Sequence, residues 1–198
     1  MTFEPFKFRK KDHKEAHLAD VRHSPEINDK LIGWTRKSFQ DKHALIFSGN
    51  VGNGKTFFSA AYYNYLKEKN ENVRVYDETF LFGEIRKCWE MPGESQEHRL
   101  DRITDVDYFI LDDLGSTGAF RDKFTGLHCL GMPDKEKSII ESLIDLRLQK
   151  ELPFVITTNF NQKDMTAFFA PRIISRLYAA ENTIVEINIL DRRQNQNF

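Results

Sequence analysis

Eight consecutive residues carry the plainest chemistry in this chain. Gly49-Asn50-Val51-Gly52-Asn53-Gly54-Lys55-Thr56 fit the pattern G-x-x-x-x-G-K-[ST]. The apolar run Ala44-Leu45-Ile46-Phe47 precedes them and a helical pattern follows, the strand–loop–helix setting of a phosphate-binding loop. The three glycines let the backbone turn tightly, so that its N–H groups can face phosphate oxygens. The helix that follows aims its positive end at the same anion. Lys55 would reach the β- and γ-phosphates of a nucleoside triphosphate, and the Thr56 hydroxyl would hold Mg²⁺. The cofactor-binding segment is expected to run from Gly49 to Phe57.

Three further groups of residues bear on the same chemistry. Leu111-Asp112-Asp113-Leu114 close a third apolar strand. A strand that delivers acids to its carboxyl end can hold a metal ion and prime a water. Asp112 would support Mg²⁺, directly or through water, and Asp113 would orient or deprotonate the attacking water. The same pair would also suit a turn or a helix cap. Thr157-Thr158-Asn159 end a fourth strand. In a sheet of order 5-1-4-3-2, Asn159 would lie between the phosphate loop and the acids and could hold the water, although an Asn after a strand also commonly starts a turn. Arg172 and Arg176 are four apart, hence on one helix face. One of them could reach a neighbouring subunit's γ-phosphate; a surface pair salt-bridged locally is the alternative. The catalytic candidates are therefore Lys55, Asp113, Asn159 and Arg176.

These positions need a scaffold of alternating strands and helices. Residues 1–23 read as a tail, in which Lys7, Arg9, Lys10, Lys11 and Lys14 outnumber Glu4 and Asp12 and are interleaved with Phe3, Phe6 and Phe8. Such a tail could grip nucleic acid, dock on a partner or pack on the core. Residues 24–198 read as one domain. Ser24-Pro25 has the form of a helix start, cap followed by proline. Strands are expected near 44–48, 73–76, 107–111, 154–157 and 183–189. Helices are expected from the phosphate loop to about Lys69, over 77–103 with a break at Met91-Pro92-Gly93, over 134–150, and at 161–169 and 171–180. Residues 114–133 contain Gly115, Gly118, Gly126, Gly131 and Pro133 and read as a long loop. The alternation implies an α/β fold, a parallel sheet covered by helices on both faces.

Composition narrows the class. With 198 residues, 30% charged and 40% hydrophobic, the chain can bury a full core. Its formal net charge of −1 supplies no global field for nucleic acid, so any such contact needs a local patch. No apolar stretch reaches membrane-spanning length, and Met1–Phe6 lack the apolar core of a signal peptide. Two cysteines, Cys88 and Cys129, offer no disulfide framework. A cytoplasmic protein is expected. Cys88, His98, His128 and Cys129 lack the spacing of a zinc site.

In order, the phosphate loop, LDDLG, TTN and R-x-x-S-R-L resemble the AAA+ ATPases of the DnaC/DnaI helicase-loader group over about residues 40–193. They are also similar to the IstB transposition ATPases. The resemblance implies a P-loop three-layer sandwich with a five-stranded parallel sheet and little or no C-terminal lid. By motif, Lys55 and Thr56 match Walker A, Asp112 and Asp113 match Walker B, Asn159 matches sensor 1, and Arg176 the arginine finger with Arg172 beside it. Asp191-Arg192-Arg193 resemble the group's C-terminal basic motif. It implies an ATPase using ATP and Mg²⁺, binding single-stranded DNA and a hexameric DnaB-type helicase, and forming homo-oligomers when ATP-bound. A transposase partner or a nucleotide kinase are the alternative readings. Loaders in this group carry a larger segment ahead of the core, so helicase contact would fall to the basic-aromatic tail. Residues 115–133, longer than the group's usual link, would form a lid, a partner loop or an insert. For DNA, Phe82, Arg86 and Trp89 at helical spacing, with Lys87 adjacent, could form a stacking and phosphate-contacting stripe; the same stripe also fits core packing.

Overall fold

The computed structural model describes residues 44–89, 95–116, 119–121, 128–130, 134–179 and 182–187. The tail, the helix start at Ser24-Pro25, the break at 91–93 and the basic triplet 191–193 lie outside the described residues.

Long apolar runs build the sheet. The strands are β1 (Ala44–Ser48), β2 (Val73–Asp77), β3 (Tyr108–Leu114), β6 (Phe154–Thr158) and β7 (Thr183–Glu186). All five residues of β1 and of β6 are buried, which only a strand covered on both faces requires. They lie parallel in the order β2-β3-β6-β1-β7. Numbered without the hairpin described below, this is the order 5-1-4-3-2. The helices are α1 (Lys55–Glu68), α2 (Glu78–Trp89), α3 (Gln96–Thr104), α4 (Asp134–Gln149), α5 (Gln162–Phe168) and α6 (Pro171–Leu177).

Successive strand residues face opposite sides, and the core divides accordingly. Leu45, Phe47, Ile110 and Val155 pack against Phe58, Tyr62 and Leu66 of α1. Ile46, Phe109, Leu111 and Ile156 pack with Leu81, Ile140, Ile144 and Ile173 from α2, α4 and α6. The helices thus bracket the sheet in three layers.

Both long helices stop at a left-handed residue. Asn70 (φ 59°) ends α1 and Glu151 (φ 50°) ends α4. Glu71 N–H bonds the Leu66 carbonyl, and Leu152 N–H bonds that of Arg147, which satisfies carbonyls at the helix ends. Arg147 is fully buried. Its guanidinium donates to the carbonyls of Thr104, Val106, Asp107 and Pro153, fastening α4 and α3 to the starts of β3 and β6. Burial pulls its pKa down to about 10.

One sequence expectation is corrected. The stretch 114–133 is not a plain loop: β4 (Ala119–Arg121) pairs antiparallel with β5 (His128–Leu130). Two three-residue strands carry too little periodicity to be read from sequence.

Candidate functional site

The phosphate loop sits between β1 and α1 in a conformation that needs its glycines. Gly49, Gly52 and Gly54 have φ of 137°, 80° and 92°, a region open to glycine at little cost. A Cβ on Gly49 would lie 2.4 Å from the Ile187 carbonyl oxygen and 2.6 Å from Asn53 Nδ2. Lys55, buried at the start of α1, donates from Nζ to the carbonyls of Gly49 and Asn50, each at 2.8 Å, and to Asn53 Oδ1 at 3.2 Å. Asn53 Nδ2 donates to the Ile187 carbonyl at 2.6 Å, and Ile187 N–H returns to Ser48. Asn53, expected from sequence only as part of the cradle, therefore also ties the loop to the end of β7. Asn50 and Val51 form its exposed tip. Phe57 adds its backbone to α1, and its side chain lies outside the described part.

The two acids meet the fourth strand and α1. Asp112 is buried. Its Oδ1 accepts from Thr157 Oγ1 at 2.7 Å and Ser59 Oγ at 3.0 Å, and Thr56 also hydrogen-bonds the carboxyl. Burial pushes the Asp112 pKa up, the hydroxyls of Thr157, Ser59 and Thr56 oppose this, and the neighbouring Asp113 adds to the rise. A buried carboxyl ringed by hydroxyls, two of them on the phosphate-loop helix, is a donor set that suits Mg²⁺. The loop beside it suits a triphosphate.

Asp113 owes its placement to a backbone irregularity. Leu111 pairs with Ile156 while Leu114 pairs with Thr158, so β3 carries one extra residue. Such bulges re-aim side chains. Asp113 takes φ 58°, which Asp tolerates better than most residues. Its N–H donates to Thr157 Oγ1 at 2.8 Å, and its Oδ1 lies 3.4 Å from Asn159 Nδ2. The structure thus brings Asp112, Asp113, Asn159 and Thr56 together. Thr157, which links both acids, and Ser59 were not singled out from sequence. Ser59 lies three residues after Thr56, on the same face of α1, and that spacing was a usable signal.

Arg172 and Arg176 share a face of α6, as their spacing requires, but they converge on α4. Both form ion pairs with Asp145, Arg172 at 3.4 Å and Arg176 by a close contact. Asn182 ties α6 to the start of β1, the end away from the phosphate loop: its Nδ2 donates to the Arg176 carbonyl and its Oδ1 accepts from Ala44 N–H.

The DNA stripe is corrected in part. Phe82 is 3% exposed and packs in the core, so it has no face on which a base could stack. Arg86 is exposed and pairs with Glu136 of α4. The side chains of Lys87 and Trp89 lie outside the described part. The amphipathic period of α2 had marked a core face, not a stacking platform.

No protein-family model matches the chain. Among solved structures, a DnaC helicase loader is 20% identical with a TM-score of 0.68, covering 89% of this chain and 99% of that one. A DnaI structure is 23% identical with a TM-score of 0.66, covering 94% and 95%. The replication initiator DnaA, bound to AMPPCP and single-stranded DNA, is 14% identical with a TM-score of 0.65, covering 88% and 50%. The fold is therefore that of the AAA+ P-loop domains. In sequence the chain is 26% identical over 145 residues to the replicative helicase loader DnaC of Escherichia coli K12, across 73% of this chain and 54% of that protein. It is 21% identical over 177 residues to DnaC of Buchnera aphidicola. The chain is homologous to the DnaC helicase loaders and shares the fold of DnaI. It spans about half the length of the Escherichia coli relative. Among the described residues, no helix is long and apolar enough to cross a membrane.

Proposed function

We propose that this chain is a cytoplasmic ATPase that acts as a DnaC-like helicase loader, coupling its ATP state to single-stranded DNA and to a hexameric DnaB-type helicase. The observation that carries this reading is the joining of Asp112, Asp113, Asn159 and Thr56 beside a glycine-rich loop that closes on Lys55. Homology to DnaC supports the loader over the transposition ATPase.

The loop amides and Lys55 bind the β- and γ-phosphates. To do so, Lys55 exchanges the carbonyls of Gly49 and Asn50 for phosphate oxygens. Thr56 and Asp112 would hold Mg²⁺, which when bound neutralises charge on the phosphates. Asp113 accepts the proton of the attacking water or orients it, and Asn159 steadies the Asp113 carboxylate and that water. Arg176, supplied by a neighbouring copy, stabilises charge on the transferring phosphoryl group, with Arg172 beside it. A finger of this kind contributes about 10³–10⁵ in rate. The protein therefore works as a homo-oligomer.

The test is ATP hydrolysis by the full chain, with and without single-stranded DNA and a DnaB-type helicase. Lys55→Ala should abolish nucleotide binding or turnover. Unchanged affinity and hydrolysis in that variant would refute the phosphate-loop role. Failure of the chain to bind or act on any DnaB-type helicase would remove the loader reading and leave the ATPase standing.

A further inference from the structure

Just beyond Asp113 the backbone is gripped by an acid from another element. Glu78 is the first residue of α2 and is fully buried. Its Oε2 accepts from Gly115 N–H at 2.5 Å and from Ser116 N–H at 3.1 Å. Ser116 N–H also donates to the Asp113 carbonyl at 3.1 Å, so Asp113 to Ser116 form a turn that the Glu78 carboxyl closes from outside. The turn is confined on its other side too. A Cβ on Gly115 would lie 2.5 Å from the Phe160 ring, and Thr158 Oγ1 donates to the Leu114 carbonyl at 2.8 Å.

We propose that Glu78 is a positioning residue for Asp113, acting through the amides of Gly115 and Ser116. The inference rests on the ATPase reading above. Asp113 is a left-handed residue in a bulge, a conformation that persists only where the surroundings over-determine it. Thr157 restrains Asp113 from the N-terminal side of the turn, through its N–H. Glu78 restrains the C-terminal side. One carboxyl oxygen that accepts from two successive main-chain N–H groups ties both to a single point. At the N-terminus of α2, Asp77 Oδ1 accepts from Phe80 N–H at 2.6 Å, which fixes the start of the helix that carries Glu78. Without the clamp the turn can relax, and the Asp113 carboxylate moves away from Asn159 and from the attacking water. A displacement of about 1 Å at a reacting group can cost about 10²-fold in rate.

The experiment compares the full chain with Glu78→Ala and Glu78→Gln. Without nucleotide, hydrogen–deuterium exchange is followed in the peptide spanning residues 108–116. Exchange at Gly115 and Ser116 should rise at least about tenfold in Glu78→Ala and less in Glu78→Gln, with α1 protection unchanged. With ATP at saturation, turnover should fall at least about tenfold in Glu78→Ala and partly recover in Glu78→Gln, while affinity for a fluorescent ATP analogue stays within about twofold. Unchanged exchange at Gly115 and Ser116 overturns the proposal. So does full turnover despite raised exchange, or a loss of affinity that tracks the loss of turnover. Should Glu78→Ala fail to fold, Glu78→Gln alone decides by the same readouts. Should the wild-type chain show no turnover, the ATPase reading falls, and the exchange measurement still decides whether Glu78 holds the turn.

Discussion

At the scale of residues, Asp112 is surrounded by hydroxyls rather than by cationic partners. Thr157, Ser59 and Thr56 bond its carboxyl, but burial outweighs them and raises its pKa. A carboxyl whose folded pKa lies above its unfolded value binds its proton more tightly in the fold. Stability therefore falls as pH rises from the ordinary carboxylate range through the raised value. Asp112→Asn removes that cost and keeps an oxygen acceptor for the hydroxyls. Without nucleotide it should raise the melting temperature near neutral pH; a gain of about 1 kcal/mol corresponds to about 2–4 °C for a domain of this size. The same variant should lose Mg²⁺-dependent hydrolysis. Thermal melts and phosphate release check the two halves, and a lower melting temperature would contradict the burial argument. Stability given up at a working residue is a familiar trade.

At the scale of elements, α4 and α6 hold the two arginines ready at the surface. Asp145 is mostly buried and anchors both guanidiniums, while each arginine remains substantially exposed. Exposed ion pairs contribute only about 0.2–1 kcal/mol, so the pair matters for orientation more than for stability. Arg176→Ala should leave ATP affinity and melting temperature nearly unchanged and lower turnover in assembled protein. Mixing it with Lys55→Ala protein should restore part of the turnover, because one copy keeps the finger and the other keeps the phosphate loop. No recovery on mixing, with mixed assemblies verified, would refute donation between copies. The β4–β5 hairpin follows β3 in the chain, and α5 packs near β5.

At the scale of the whole molecule, the two ends of the sheet have different duties. The carboxyl ends of β1, β3 and β6 carry the candidate site. The opposite ends of β3 and β6 are fastened by Arg147, which serves four carbonyls from inside the core. Arg147→Met should leave those carbonyls without their donor and cost about 3–5 kcal/mol. Denaturant unfolding measures the loss. Turnover per folded molecule should remain at the wild-type level, since the site lies at the other end. A proportionate fall in turnover at temperatures where the variant is fully folded would show that the two ends are coupled.

The phosphate loop and the parallel sheet were legible in the chain itself, whereas the strand order was supposed there and is set by the tertiary structure. Glycine spacing, buried apolar runs and the order of the motifs act over a few residues at a time, and backbone sterics convert them directly into conformation. Other features depend on residues brought together from far apart. Thr157 reaches Asp112 across 45 positions and Ser59 reaches it across 53; Glu78 meets Gly115 across 37. Asp145 gathers Arg176 from 31 positions away. Phe82 shows the limit from the other direction: helical period marks a face, but only packing decides whether that face meets solvent or core. Local rules shaped the loop that can receive a phosphate, and the close approach of distant strands and helices, with one extra residue in β3, decided which side chains surround it.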